Sequence, residues 1–210
     1  MISVDTILQQ ATALNLRGFK ESLLLQTQDA NYGTLSFEER LYHLFESEIN
    51  QRDNKKIKRL LQAATLKDKT ASLEQIEYLP KRNLDKSVIM SLATGNFINL
   101  KQNVLITGAT GVGKSFTMQC LGKRAIDLGY PTKYYRLSSL LEEIRTSRIS
   151  GTYTKTLAKI SKFKLLLLDD FGVTPLKADE INDLFEIIED RTFNGSIIIT
   201  AQLPIKDWHA

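Results

Sequence analysis

Apolar positions in the first eighty residues recur at helical spacing, whereas those in the rest of the chain come in short runs separated by amphipathic stretches. Val4, Ile7, Leu8, Ala11 and Leu14 recur at helical spacing, and Phe19, Leu23 and Leu24 follow Gly18, which predicts two short helices. Ser36 and Glu39 have the spacing of a capping box, in which hydroxyl and carboxylate each satisfy a backbone NH left open at a helix start. A long helix is therefore expected from there, with Leu41, Leu44, Phe45 and Ile49 on its apolar side, then Ile57, Leu60, Leu61 and Ala64. The polar residues between these two groups predict a bend. The mixed polar run 70–85, which contains Pro80, predicts a domain boundary, giving a helical domain over 1–78 and a core domain over 79–210.

In the second part, QNVLIT at 102–107, TKYYRL at 132–137, FKLLLL at 163–168 and SIIIT at 196–200 read as strands. Helices are expected between them at about 114–129, 138–147, 153–161 and 177–191. Strands alternating with helices imply an α/β fold, a parallel sheet covered on both faces. One of Tyr134 and Tyr135 is then expected to face the core and the other to point away.

Composition narrows the class. With 210 residues, 42 % hydrophobic and 25 % charged, the chain is in the globular range and is not a disordered or low-complexity one. Its longest aliphatic runs, 165–168 and 197–199, fall far short of the roughly 18 residues a membrane-spanning helix needs. The start MISVDTILQQ carries Asp5 where an export signal needs a basic, then apolar, stretch, so a cytoplasmic location is expected. One cysteine, Cys120, with His43 and His209 offers no disulfide, no zinc-ligand spacing and no hydrolytic triad. Cys120, in the helix after residue 113, is expected to pack as a small hydrophobe. The net charge of +4 permits nucleic-acid binding without demanding it.

The chemistry is concentrated at Gly108–Ser115, GATGVGKS, which matches the phosphate-binding pattern G-x-x-x-x-G-K-[ST] and lies between an expected strand and an expected helix. Gly108, Gly111 and Gly113 let the backbone curl, so that NH groups of the loop, including those of Ala109, Thr110 and Val112, can face phosphate oxygens at a helix start. Lys114 would reach the outer phosphates of a nucleoside triphosphate, the Ser115 hydroxyl would ligate Mg²⁺, and Phe116 completes the binding segment. Some fifty-five residues on, KLLLLDDF ends an apolar strand in two carboxylates. Asp169 is expected to hold the metal and Asp170 to orient or deprotonate an attacking water. Gln202, after the strand SIIIT, is placed to touch the terminal phosphate or that water.

These residues resemble a known family. GATGVGKS, LLLLDDFG, IIEDR at 187–191, SIIITAQLPIKDWH at 196–209 and LSFEERL at 35–41 look like the IstB-like ATPases, helpers of bacterial insertion-sequence transposition within the AAA+ superfamily. The resemblance implies an AAA+ core that binds ATP with Mg²⁺, self-assembly on DNA and cooperation with a transposase. DnaC-like helicase loaders share the core and motifs. Two departures accompany the likeness. Many AAA+ proteins carry Glu as the second acid, whereas Asp170 is one methylene shorter and implies slow hydrolysis. The sequence also stops at Ala210, where the likeness implies a further strand beside the phosphate-loop strand, an arginine finger and a C-terminal lid. Trp208 and His209 are accordingly expected to pack against that continuation.

For DNA, Arg52, Lys55, Lys56 and Arg59 share one helix face, roughly 140° around from the Ile57, Leu60, Leu61, Ala64 stripe. Between Ile144 and Leu168 there is no acidic residue, while Arg145, Arg148, Lys155, Lys159, Lys162 and Lys164 are all basic. Both clusters are candidate DNA surfaces, and with no base-reading motif they imply duplex binding largely independent of sequence. A solvated helix face, a helicase loader, a nucleotide-binding chain without hydrolysis and a small-molecule kinase are the competing readings. The two acids and the polar residue after the last strand favour water over a kinase's acceptor pocket.

Overall fold

The computed structural model describes residues 3–202, apart from the side chain of Lys81. Trp208 and His209 lie outside the described residues. By its packing the chain divides into two compact units, Met1–Arg59 and Leu60–Ala210.

The first unit is helical: α1 (Val4–Ala13), α2 (Arg17–Gln28) and most of α3 (Phe37–Ala64). The expected capping box starts α3, with Ser36 NH donating to Glu39 Oε2 at 2.8 Å and Glu39 NH to Ser36 Oγ at 3.2 Å. α3 runs as one continuous helix of 28 residues through the polar stretch 50–56, which contains no Pro or Gly to interrupt it. Gly18 lets α2 approach α3 closely, because any Cβ there would collide with the backbone of Ser47 and Glu48. The buried Glu48 carboxylate accepts the NH groups of Gly18 (2.8 Å) and Phe19 (3.2 Å), placing an anion at the start of α2. Phe19 meets Phe45 edge to face.

The second unit begins within α3, earlier than the boundary expected at 78/79. The physical reason is burial: Ala64, Leu66, Ala71 and Ile76 are nearly inaccessible, and Ala71 and Ile76 form one cluster with Ile89 and Cys120. Residues of the segment expected to hold the boundary, Ala71 and Ile76, thus belong to the core of the α/β unit. After α4 (Lys86–Ala93) and the short α5 (Asn96–Asn99), strands and helices alternate. They are β1 (Val104–Thr107), α6 (Lys114–Asp127), β2 (Thr132–Arg136), α7 (Leu137–Ile149), α8 (Tyr153–Ser161), β3 (Leu165–Phe171), α9 (Ala178–Asn194) and β4 (Ser196–Ala201). All pairs are parallel in the order β1-β4-β3-β2.

Helices cover both faces. Leu166, Leu168, Ile197 and Ile199 form one core with Leu140, Ile144, Ile160, Leu184 and Ile187 of α7, α8 and α9. On the other face Leu167 meets α6 at Gly122, which has no side chain to hold it off. The continuous run Leu165–Leu168 is wholly buried, as a strand between two helical layers requires, and each such leucine contributes roughly 1.5–3 kcal/mol. For the same reason neither tyrosine of β2 points to solvent: Tyr134 and Tyr135 are both 7 % exposed. Burial pushes the Cys120 thiol up to about 12, and its Sγ donates to Ser72 O, so it packs as expected. Among the described residues no helix is long and apolar enough to cross a membrane.

Candidate functional site: a phosphate loop facing two strand-end carboxylates

β1 leads into the loop 108–113, and α6 starts at Lys114. Gly111 (φ 82°) and Gly113 (φ 92°) take the left-handed backbone that the curl requires. Gly113 caps α6 without a side-chain hydrogen bond, so the first NH groups of the helix face the loop with no side chain competing for them. Lys114 Nζ lies across the loop, donating to the carbonyls of Gly108 (2.7 Å) and Ala109 (2.8 Å). The Arg82 guanidinium rests against Gly113 and donates to Glu77 O.

Facing the loop are the ends of β3 and β4. β3 runs through both acids to Phe171 rather than ending before them, and its register against β4 slips there: Leu168 pairs with Ile199 but Phe171 with Ala201. One extra residue in β3 makes a bulge at the acid pair, and Asp170 takes a left-handed φ of 64°. The consequence is that two adjacent carboxylates have different surroundings. Asp169 is fully buried. Its Oδ1 accepts from Ser115 Oγ (2.7 Å) and Thr200 Oγ1 (2.5 Å), and its Oδ2 from Tyr134 OH (2.9 Å) and Lys67 Nζ (3.3 Å). Burial by itself would raise the Asp169 carboxyl, but the hydrogen bonds from Thr200, Ser115, Tyr134 and Lys67 outweigh it and hold the group below the ordinary carboxylate value. Burial, reinforced by that same carboxylate, pushes the Tyr134 phenol up. Asp170 is half-exposed and accepts from Arg136 Nε at 2.9 Å.

Between loop and strand ends lies a cavity of about 270 Å³. Thr110, Gly111, Gly113, Lys114, Ser115 and Phe116 line one side, and Asp170, Thr200, Ala201 and Gln202 the other. Gln202 Oε1 accepts from Thr110 Oγ1 at 3.0 Å, so the residue after the last strand touches the loop directly. The structure thus brings together the sequence-predicted loop, both acids and Gln202. Lys67, Tyr134, Arg136 and Thr200 join them unannounced. Thr200 ends a strand already selected, which is a usable sequence signal; Lys67 lies 102 residues from Asp169 and carries none.

The donors at this site suit Mg²⁺: hydroxyl and carboxylate oxygens from Ser115, Asp169 and Thr200. Among the described residues no group of three or more His, Cys, Asp or Glu side chains converges to hold a metal. A divalent ion here would need ligand phosphates to complete its shell, as Mg²⁺ sites commonly do.

The two basic clusters differ. On α3, Lys55, Lys56 and Arg59 are exposed, whereas Arg52 donates to Glu48 Oε1 at 2.6 Å. In the α/β unit, Arg145 forks onto Glu142, Arg148 bonds Asp183 and stacks on the Tyr153 ring at 3.8 Å, and Lys159 meets Glu143 at 3.4 Å. Lys155 is exposed, with no ion pair among the described residues.

A parallel sheet in this order, with a phosphate loop after β1 and a buried acid on β3 bonded to the loop serine, defines a P-loop protein of the AAA+ class. Solved structures agree on the fold. The replication initiator DnaA bound to AMPPCP and single-stranded DNA superposes with a TM-score of 0.61 at 22 % identity, over 68 % of this chain and 44 % of that one. This chain therefore spans less than half of DnaA. The DnaC helicase loader gives 0.54 at 19 % identity, over 65 % of this chain and 80 % of that one. Residues 9–210 match the family of IstB-like ATP-binding proteins, and the chain belongs to that family. An insertion sequence IS1162 ATP-binding protein of Pseudomonas fluorescens is 39 % identical over 197 residues, 94 % of this chain and 85 % of the relative. An insertion sequence ATP-binding protein of Sinorhizobium fredii is 32 % identical over 96 % of this chain and 82 % of the relative.

Proposed function

We propose that this protein is an ATP-dependent helper of insertion-sequence transposition that assembles on duplex DNA in the cytoplasm and acts there with a transposase. One observation carries the nucleotide reading: Ser115, which lines the cavity together with Lys114 and the loop, donates at 2.7 Å to the buried Asp169 at the strand end. The names of the insertion-sequence relatives favour transposition over helicase loading, for which the support is fold likeness alone.

In this reading the loop NH groups and Lys114 hold the phosphates, and Lys114 exchanges its two carbonyl acceptors for phosphate oxygens. Ser115 and Asp169 hold Mg²⁺, which when bound neutralises charge on the transferred phosphoryl group. Asp170 and Gln202 border the cavity where an attacking water would stand, with Asp170 as the base. The exposed cations of α3, with Lys155 on α8, neutralise DNA phosphates without reading bases, and copies of the chain line up along one duplex.

A second reading, nucleotide binding without hydrolysis, is favoured by the ion pair of Asp170 with Arg136, which engages the carboxylate expected to act as base. One experiment separates them: ATP affinity, phosphate release and affinity for unrelated duplexes at several salt concentrations, for the wild type and Lys114→Ala. Nucleotide binding that survives Lys114→Ala sinks the site. Binding without phosphate release, with or without DNA, selects the second reading. DNA affinity indifferent to salt removes the phosphate-contact model.

A further inference from the structure

Lys67 is tied into the α/β unit over a short stretch of chain. Thr65 Oγ1 donates to Tyr134 O at 3.1 Å, Leu66 is buried, and Lys67 NH donates to Gln119 Oε1 of α6 at 3.1 Å. With its backbone held, Lys67 sends its ammonium over the Tyr134 ring, 5.3 Å from the centroid, onto Asp169 Oδ2 at 3.3 Å. Among the described residues it is the one cation paired with that buried carboxylate, since Lys114 is turned to loop carbonyls and Arg136 to Asp170. The Lys67 side chain is 50 % exposed, so a long flexible stem connects a buried acid to solvent.

We propose that Lys67 is a positioning residue for the divalent ion: its ammonium serves as a resident counter-charge on Asp169 Oδ2, keeps Oδ1 turned to Ser115, and must yield when Mg²⁺ arrives. The inference rests on the reading of Ser115 and Asp169 as the Mg²⁺ ligands. Its physical basis is that a carboxylate buried without a cation is costly, whereas a monovalent and a divalent cation sharing one carboxylate repel each other. Release swings the ammonium to water while the backbone anchors at residues 65–67 stay in place. Metal occupancy is thereby tied to the solvent exposure of one identifiable amine.

The test titrates Mg²⁺ against binding of a fluorescent, non-hydrolysable ATP analogue to the full chain, at constant ionic strength. Lys67→Met is expected to lower the half-saturating Mg²⁺ concentration roughly three- to tenfold, because the competing charge is gone. Lys67→Arg, which restores the charge, is expected to stay within about twofold of the wild type. A purely structural Lys67 would change the unfolding midpoint of Lys67→Met and leave its Mg²⁺ dependence alone. Should Lys67→Met fail to fold, the wild type supplies the second measurement: reactivity of the Lys67 amine toward an acylating reagent, read by peptide mass spectrometry. It is expected to rise several-fold when Mg²⁺ and the analogue are added together. An unchanged half-saturation in a folded Lys67→Met, or an unchanged amine reactivity, overturns the proposal. A wild type whose analogue affinity ignores Mg²⁺ removes the metal site itself and Lys67's role with it; Mg²⁺ dependence in the wild type with an unchanged variant removes only Lys67's role.

Discussion

The strand-end site and the basic face of α3 are both rich in polar side chains, yet they are opposite kinds of surface. Asp169 accepts four side-chain hydrogen bonds with no solvent exposure, and Lys114 spans two loop carbonyls. Lys55, Lys56 and Arg59 stand in water. In the first region each group is one part of a mutually dependent set, so single substitutions should have large and specific effects. In the second, free cations act nearly independently, and their effects should be small, additive and sensitive to salt. The run 145–164 stands between the two, because acids of α7 and α9 claim several of its cations.

The sharpest way to break the comparison is Lys114→Ala. It removes about two charge-assisted hydrogen bonds to phosphate, so ATP affinity by calorimetry should fall about 10²- to 10⁴-fold while the thermal midpoint stays put. Asp169→Ala should act on the fold as well as on the ligand. Leaving Ser115, Thr200 and Tyr134 without their acceptor should cost at least about 2 kcal/mol in denaturant unfolding. The pH dependence of this group has a definite sign. Its folded-state value is depressed, so its stabilisation is present above the unfolded value near 3.8 and is lost as pH falls through the lower folded value. Asp169→Asn should therefore lose less stability than the wild type on acidification below about pH 4.

Asp170→Asn tests whether adjacent acids have separate roles. ATP binding should persist while any phosphate release drops by about 10²; equal, small losses from both acids would reduce them to turn-capping residues. The smallest effects belong to the cations. Lys55→Ala or Arg59→Ala should each lower the slope of log DNA affinity against log salt by about 1 and weaken all sequences alike. Arg145→Ala should change that slope less, because Glu142 already holds the guanidinium in a fork. A loss at Arg145 equal to that at Lys55 would erase the distinction between paired and free cations.

How much could be read beforehand follows from the range over which each feature is decided. The phosphate loop is local: eight consecutive residues determine its glycine geometry, its lysine and its serine. The capping box at Ser36 and Glu39 is likewise complete within one helical turn. α3 continues through the polar stretch between its two apolar groups because no Pro or Gly there breaks its backbone hydrogen bonds. The 78/79 boundary was misplaced because a segment of mixed polarity shows its burial only when there is something to pack against, here Ile89 and Cys120.

Taken alone, the sequence determined the alternation of strands and helices, the phosphate loop and the acid pair, since periodicity, glycine placement and motif spacing are properties of neighbouring residues. Tertiary structure decided what those residues meet. The bulge that separates Asp169 from Asp170 exists only through the register of β3 against β4. The pairings of Lys67 with Asp169, Arg136 with Asp170 and Arg148 with Asp183 join residues 34 to 102 positions apart. Charge, unlike backbone conformation, acts through space rather than along the chain. Which cations stay free for a ligand is therefore settled by which acids the fold brings beside them.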